Sequence, residues 1–409
     1  MTRDERQEEC VKNWIKYKGR GVLLCATGFG KTRIAMIIIH KCLNKNPNFN
    51  TVVLVPTDYL RKQWKGLIKE NSLEENVKVE SYNWAINNYF SCDLLICDEC
   101  HTLASESRIN IIYKNSFNFF LGLTATINRI DEREQLLLKH FPICDCVNLD
   151  ECKKNGWIAE FKEYKVLLDV DLMEYNIINE QYNNHFSFFN FDWNKVQYIF
   201  GKKGIDYSKA KKLSVVMNCS DKEVILHATN VMRLTRKRKD WCYNHPKKID
   251  LSRKIVEYRS DKKILTFSQS IKIASMLPYG SVVHSKLKKK EINNIIDKFN
   301  QQDIGILHSV KSMSAGCDIK GLSVGIITSL NSSQIDAKQI LGRSIRKEGD
   351  KKSEIFNLII KGTIEEAWFQ KSHIGSDYIT IDENQLEKIL KNEEVEIRRR
   401  REVNLEYIF

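Results

Sequence analysis

The stretch Ala26-Thr27-Gly28-Phe29-Gly30-Lys31-Thr32 lies between an apolar segment, residues 21–25, and an amphipathic segment that follows it. A glycine-rich turn between a buried strand and a helix directs backbone amides and the helix N-terminus toward a bound phosphate. In such a loop the Lys31 ammonium neutralises the β- and γ-phosphates, and the Thr32 hydroxyl ligates magnesium. The stretch therefore predicts a nucleotide-phosphate loop, with Cys25 where the strict pattern has its first glycine. The expected nucleotide contacts are Thr27, Gly28, Gly30, Lys31 and Thr32.

An acidic pair, Asp98-Glu99, directly follows the apolar residues 94–97. In a phosphate-loop enzyme, a carboxylate that ends a neighbouring strand can hold magnesium, and a second one can act as general base toward water. We expect Asp98 to ligate the magnesium ion and Glu99 to polarise the attacking water. The phosphate loop is the most specific signal in the sequence, whereas an acidic pair after a strand is weak alone, and together they predict hydrolysis of ATP or GTP.

The segment Cys97-Asp98-Glu99-Cys100-His101 also has the spacing of a c-type haem attachment site. The apolar strand before it and the two acids in its middle favour the magnesium interpretation. We expect no zinc site, because no second cysteine or histidine pair has ligand spacing. The twelve cysteines of the chain are scattered without a disulfide framework, which predicts reduced thiols.

Apolar strands alternate with amphipathic helices in two parts of the chain, which predicts an α/β fold with two parallel sheets covered by helices. The predicted strands are residues 21–25, 51–55, 93–97 and 119–123, then 263–267, 281–283, 304–307, 324–328 and 354–360. Between these parts the pattern changes to polar and aromatic helical segments. We therefore expect a first lobe at 1–168, a helical connector or insertion at 169–249, a second lobe at 250–372 and a charged tail at 373–409.

The chain has 409 residues, 42% of them hydrophobic, a formal net charge of +13 and a sequence pI near 9.0. This length and composition predict a folded protein of two or three domains, and the positive charge favours a polyanionic partner such as nucleic acid. No basic-then-apolar leader opens the chain, and the longest apolar stretch, residues 34–39, is too short to span a bilayer. We expect an intracellular, soluble protein without a membrane partner.

Several first-lobe motifs resemble those of the superfamily 2 helicases. Asp-Glu-Cys-His at 98–101 is similar to the DExH box, and Gly-Leu-Thr-Ala-Thr at 122–126 is similar to motif III, which links hydrolysis to lobe closure. The resemblance implies two RecA-like lobes that close on ATP and Mg²⁺. It implies coupling roles for His101, Thr124 and Thr126, and nucleic-acid backbone contacts by Pro56, Thr57 and Gln63 of motif Ia. It also implies adenine recognition by Gln7, for which a solvated helix position is an equal alternative.

Second-lobe motifs follow in the order of the same superfamily. Residues 339–346 resemble motif VI, which places arginines on ATP that is held by the opposite lobe. The resemblance implies that Arg343 and Arg346 stabilise charge on the γ-phosphate and that Gln339 contacts the nucleotide. Asp318 resembles the motif V aspartate, and Ser268 resembles a motif IV residue that contacts nucleic acid. The threonine that usually precedes motif V is not evident, which leaves its phosphate contact open.

Within the superfamily, the phosphate loop, Gln63-Trp64 and the segment 123–131 most resemble the XPB/UvsW branch. That branch includes a phage branch-migration helicase, and the compact length suits a phage enzyme acting in the host cytoplasm. The resemblance implies a monomeric DNA helicase or translocase that unwinds or branch-migrates forked and recombination intermediates in replication or repair. An RNA helicase is an alternative, because the same motifs serve both nucleic acids. The motor subunit of a restriction-type complex is another.

The connector contains a basic cluster, Arg236-Lys237-Arg238. Such a cluster predicts contacts with a phosphate backbone, and a solvated helix face is the alternative. The aromatic residues between 186 and 193 predict a small apolar core in preference to a base-stacking platform.

Overall fold

A computed structural model describes residues 1–125, 134–201, 204–310, 319, 321–329, 352–373 and 377–395. Within them lie two parallel sheets and a largely helical segment at 173–258. The predicted α/β class with two parallel sheets is therefore confirmed.

The first sheet has six strands in the order β3-β2-β4-β5-β1-β6, and every neighbouring pair is parallel. Its strands are β1 (Arg20–Cys25), β2 (Thr51–Val55), β3 (Val77–Ser81), β4 (Ser91–Asp98), β5 (Ser116–Thr124) and β6 (Ile143–Val147). Its helices are α1 (Arg3–Lys16), α2 (Lys31–Lys45), α3 (Asp58–Glu70), α4 (Tyr82–Asn87), α5 (Glu106–Lys114), α6 (Glu134–Leu138) and α7 (Leu149–Lys154), with a 3-10 helix at Cys100–Leu103. β2 and most of β4, in the middle of the sheet order, are buried and apolar, because helices cover both faces of a parallel sheet.

The second sheet has seven strands in the order β11-β12-β10-β13-β14-β7-β15, again parallel throughout. Its strands are β7 (Phe161–Leu168), β10 (Lys263–Ser268), β11 (Ser281–Val283), β12 (Gly305–Val310), β13 (Val324–Ile327), β14 (Ser353–Ile360) and β15 (Ile379–Ile381). Its helices are α13 (Ile271–Met276), α14 (Lys289–Asn300), α15 (Ile364–Ser372) and α16 (Glu383–Leu390).

Two strands of the second sheet come from outside the range predicted for the second lobe. β7 lies within 1–168 and β15 lies within 373–409, yet they pair with each other and β7 pairs with β14 along eight residues. The predicted boundaries at 168 and 372 therefore do not coincide with the division between the sheets. The physical reason is that backbone pairing partners are set by the whole fold, whereas the sequence of a buried strand shows only that it is buried.

The connector is helical, as expected, and consists of α8 (Met173–Ser187), α9 (Trp193–Tyr198), α10 (Tyr207–Met217), α11 (Asp221–Tyr243) and α12 (Pro246–Tyr258), with a small hairpin, β8 (Phe200–Gly201) and β9 (Gly204–Ile205). Phe189 is fully buried in a separate apolar core that includes Phe186, Phe188 and Trp193 at its margin. The prediction of a small aromatic core is confirmed for these residues, whereas Phe191 is exposed.

The carboxyl ends of β1, β4 and β5 meet at one edge of the first sheet, and β5 lies between the other two strands. Side chains at the ends of these three strands are therefore brought together, although the strands end at residues 25, 98 and 124 of the chain.

The two lobes are in contact at Lys289, whose ammonium lies 2.8 Å from the Asp58 carboxylate at the start of α3.

Among the described residues, no helix combines the length and the apolar character needed to cross a bilayer. Every cysteine in those ranges is a free thiol, and they contain no cluster of three potential metal-ligating side chains.

Candidate nucleotide site

The phosphate loop turns from the end of β1 into α2. Gly28 and Gly30 have φ of +83° and +102°, which side chains with a Cβ rarely adopt. A Cβ on Gly30 would also lie 2.6 Å from Gln7 Nε2. Gly30 is the N-cap of α2 and offers no side chain to the first-turn amides. The backbone N–H groups at this helix N-terminus are thus directed at the space where a phosphate would bind.

The first helix fixes the outer side of this loop. The Arg3 guanidinium donates to the carbonyls of Gly28 (2.6 Å) and Phe29 (2.9 Å), and Gln7 Nε2 donates to the Phe29 carbonyl (2.7 Å). α1 is in turn anchored by Arg6, which forms two hydrogen bonds with Asp145. These contacts bind the Gly28 and Phe29 carbonyls to α1 and fix the conformation of the loop.

Gln7 is fully buried and not a solvated helix residue. Its Oε1 has no hydrogen-bond partner among the residues that the structure describes. A buried acceptor without a donor is costly, and the exocyclic amine of adenine is a donor of the required kind. This orphaned oxygen fits the predicted adenine contact, which stays a prediction.

The acidic pair faces Lys31 across the site. Lys31 Nζ lies 3.0 Å from Glu99 Oε1, and both side chains are mostly buried. Asp98 is oriented by two donors, since its Oδ2 accepts from Trp64 Nε1 at 3.0 Å and its Oδ1 accepts from the Glu99 amide at 3.0 Å. Glu99 adopts a left-handed backbone with φ of +51°, a conformation that costs free energy for a residue with a Cβ and often marks a functional site.

The charges of the site influence each other strongly. Burial, followed by repulsion from Glu99, raises the pKa of the Asp98 carboxyl. Burial also acts to raise the pKa of Glu99, but the Lys31 ammonium and His101 outweigh it and hold that pKa below its ordinary value. Burial acts to lower the pKa of Lys31, and the Glu99 and Asp98 carboxylates more than compensate, so that pKa is raised. Lys31 is therefore a cation and Glu99 an anion at neutral pH, as phosphate binding and base catalysis require.

The second Glu99 oxygen contacts the end of β5. The Thr124 hydroxyl donates to Glu99 Oε2 at 3.4 Å, and His101 Nδ1 lies 2.9 Å from the same hydroxyl. The structure thus joins His101, Thr124 and Glu99 in one buried chain. Their coupling role stays a prediction, and Thr126 lies outside the described residues.

The first-lobe residues that were predicted to contact nucleic acid, Pro56, Thr57 and Gln63, lie just before α3 and in its first two turns. The Thr57 hydroxyl caps this helix by accepting from the Leu60 amide at 3.3 Å, and Gln63 is exposed one turn further on. Pro56 is half-buried at the end of β2. Ser268 differs from its prediction, because it is fully buried and its hydroxyl bonds the Ser270 backbone within the turn after β10. It presents no hydroxyl to a nucleic acid in this structure.

The connector cluster divides into two parts. Arg236 and Lys237 are exposed on α11, but Arg238 is only 9% exposed and its guanidinium lies over the Tyr182 ring at 4.2 Å. Three consecutive helix residues point in different directions, so one of them faces the core. Arg238 is therefore a packing residue and does not belong to the exposed basic surface.

The predicted second-lobe nucleotide residues, Asp318, Gln339, Arg343 and Arg346, lie outside the described residues. Sequence reasoning missed three residues that the structure brings to the site, namely Arg3, Trp64 and Tyr82, whose hydroxyl donates to the Asp98 carbonyl at 2.8 Å. A signal existed for Trp64, because a tryptophan on the apolar side of an amphipathic helix needs an acceptor for its N–H.

A phosphate loop after β1, an acid pair at the end of β4 and two parallel-sheet lobes are the features of a nucleotide-hydrolysing motor enzyme. Two family models match the chain: "Type III restriction enzyme, res subunit" over residues 1–90 and 85–129, and "Helicase conserved C-terminal domain" over residues 247–348. Fold, site and both domain matches place the chain among the superfamily 2 helicases.

Among curated relatives, the DNA 3'-5' translocase XPB2 of Sulfurisphaera tokodaii is 26% identical over 386 residues, which cover 87% of this chain and 81% of that protein. QP509L of African swine fever virus, provisionally named an ATP-dependent RNA helicase, is 30% identical over 163 residues. That match covers 33% of this chain and 31% of the viral protein.

Solved structures support the two RecA-like lobes. The Pyrococcus furiosus Hef helicase domain has a TM-score of 0.56 at 14% identity. The match covers 90% of this chain and 97% of the Hef chain. S. cerevisiae Dbp5 bound to RNA and ADP BeF3 has a TM-score of 0.59 at 13% identity, and the match covers 94% of this chain and 91% of the Dbp5 chain. At these identities the likeness concerns the fold.

Lys31→Ala is expected to lower ATP turnover by about 10²–10³-fold, because the site loses its cation for the phosphates. Lys41→Ala is the matched control, since Lys41 lies on the same helix in an exposed ion pair with Glu8. Phosphate release by both variants and the wild type tests the assignment. Turnover by Lys31→Ala close to that of Lys41→Ala would contradict it.

Proposed function

We propose that the protein is an ATP-dependent DNA translocase that couples ATP hydrolysis to movement on duplex or forked DNA. The observation that carries the ATPase part is the buried Lys31–Glu99 pair, with Asp98 oriented beside it. The DNA part is supported by a relative named as a DNA translocase, which aligns with most of this chain and most of its own length.

The residues of the first lobe have separate roles in this reaction. The loop amides and Lys31 bind the β- and γ-phosphates, and Thr32 and Asp98 would hold the magnesium ion. The ion would neutralise charge on the phosphate oxygens. Glu99 accepts a proton from the attacking water while the water oxygen bonds to the γ-phosphorus. ADP leaves with the electron pair of the broken P–O bond. Because Lys31 can bond either Glu99 or a phosphate, nucleotide binding would release Glu99 for this role.

The second lobe would complete the site from the other side of the cleft. Arg343 and Arg346 would stabilise the charge that develops on the γ-phosphate, with Gln339 and Asp318 also on the nucleotide. Opening and closing of the lobes would be sensed through the His101–Thr124–Glu99 chain, because any shift of β5 changes the surroundings of the base.

DNA is the favoured substrate, and RNA is the second candidate. The relatives provisionally named as RNA helicases include the viral protein, whose match covers a third of this chain. Action on branched recombination intermediates, as in the XPB/UvsW branch, is the most specific form of the proposal. A motor subunit of a restriction-type complex is a further form, favoured by the description of the first family model.

The proposal is tested by ATP turnover with single-stranded DNA, duplex, a fork, a four-way junction and RNA of equal length. We expect stimulation by DNA, largest for substrates that contain duplex, and little by RNA. Stimulation by RNA alone would replace the DNA proposal with the RNA one. Absence of turnover on every substrate would contradict the ATPase proposal itself.

The exposed part of the connector cluster is expected to contact phosphates. Arg236→Gln with Lys237→Gln should weaken DNA binding and lower the slope of log affinity against log salt by about two units, roughly one per contact. ATP turnover without DNA should be unchanged, because α11 contains no nucleotide residue. Lys12→Gln with Lys16→Gln on α1 removes the same charge from another exposed surface as control. Equal affinities and slopes for both double variants would show that the α11 surface is only solvated.

A further inference from the structure

We infer that Trp64 is a positioning residue for the magnesium-holding carboxylate and links it to the helix that is proposed to meet nucleic acid. The indole Nε1 of Trp64 donates to Asp98 Oδ2 at 3.0 Å, and the side chain is 2% exposed. This inference rests on the proposed ATPase function, and it assigns a role to a residue outside the phosphate loop and the acid pair.

The hydrogen bonds around Asp98 leave it with one defined orientation. Oδ2 accepts from Trp64, Oδ1 accepts from the Glu99 amide, and the Tyr82 hydroxyl holds the Asp98 carbonyl at 2.8 Å. Each carboxylate oxygen retains a lone pair that can face a cation. Partners that orient a metal-ligating carboxylate in this way typically change metal affinity or activity by about 10–100-fold when removed.

A tryptophan that only filled the core would not require a carboxylate. Trp14 shows this alternative in the same lobe, since it is also buried and its Nε1 donates to the backbone carbonyl of Phe120 at 2.9 Å. A neutral carbonyl satisfies the indole fully. Trp64 instead bonds Asp98, the carboxylate that is proposed to hold the magnesium ion.

The helix that carries Trp64, α3, has its other relevant residues in its first two turns. Thr57 caps α3, Gln63 next to Trp64 is exposed, and Asp58 bonds Lys289 of the second lobe at 2.8 Å. Trp64 lies seven positions after Thr57, which is about 10 Å along a helix. A rigid helix would carry a displacement at its first turn to the indole. A shift of about half an ångström would stretch the 3.0 Å bond to Asp98 to the limit of a hydrogen bond.

The test is the Trp64→Phe variant, which keeps an aromatic ring in the core and removes the N–H. Binding of a fluorescent ADP analogue is titrated with Mg²⁺ in the absence of nucleic acid. We expect half-maximal binding at about ten-fold higher Mg²⁺ than in the wild type, and unchanged binding of the analogue in EDTA. Trp14→Phe, which loses a comparable buried N–H far from Asp98, should retain the wild-type Mg²⁺ requirement.

The outcomes separate the inference from the function on which it rests. A wild-type protein that binds no nucleotide would refute the proposed ATPase. A wild-type protein that binds with Mg²⁺, together with a Trp64→Phe variant of equal Mg²⁺ requirement, would refute only the positioning role. An equal shift in Trp14→Phe would also refute it, because the effect would then be general loss of packing.

A measurement on the wild type covers the case in which Trp64→Phe does not fold. The chain has seven tryptophans, and indole ¹⁵N labelling gives one N–H signal for each. Addition of Mg²⁺ to the ADP-bound protein should shift the Trp64 signal and leave the Trp14 signal in place, with both signals assigned by through-bond correlation in the wild-type protein. A Trp64 signal that does not respond to Mg²⁺ would contradict the inference.

Discussion

The buried attraction between Lys31 and Glu99 is the interaction on which the rest of the site depends. Two charges removed from water are stable only when they are paired and hydrogen-bonded, so each fixes the other. The sheet order makes the pairing possible, because β5 alone separates β1 from β4, and Thr124 at the end of β5 contacts the second Glu99 oxygen. α1, the loop glycines and the His101–Thr124 contact all serve to keep this pair in one geometry.

The site also stores strain at Glu99, the proposed base. Glu99 has a left-handed backbone, and its carboxylate is held in the anionic form by a cation that phosphates also attract. A carboxylate that only stabilised the fold would need neither feature. Both features fit the proposed base, which Lys31 would hold as an anion and release when Lys31 binds a phosphate.

The sequence predicted those features that depend on neighbouring residues. The phosphate loop and the acid pair are local patterns, and the strands that precede them are apolar runs of strand length, so both strands were predicted correctly. The membership of β7 and β15 in the second sheet was not predictable, because pairing partners lie about 190 residues apart in the case of β7 and β14. Ser268 and Arg238 were assigned to nucleic acid from motif position and charge, which do not reveal burial. Trp64 was noticed as part of a motif, yet its role needs the position of Asp98, which only the folded sheet provides.

The central claim is that Glu99 is the base and Lys31 the phosphate cation of one ATPase site. Single-turnover hydrolysis, with protein in excess over radiolabelled ATP and Mg²⁺, tests this claim most directly in the Glu99→Gln variant. The amide keeps the size of the side chain but cannot accept the proton from water. The account predicts that wild-type protein converts its bound ATP to ADP and phosphate, whereas Glu99→Gln retains bound ATP unhydrolysed. Hydrolysis by Glu99→Gln at the wild-type rate would contradict the account.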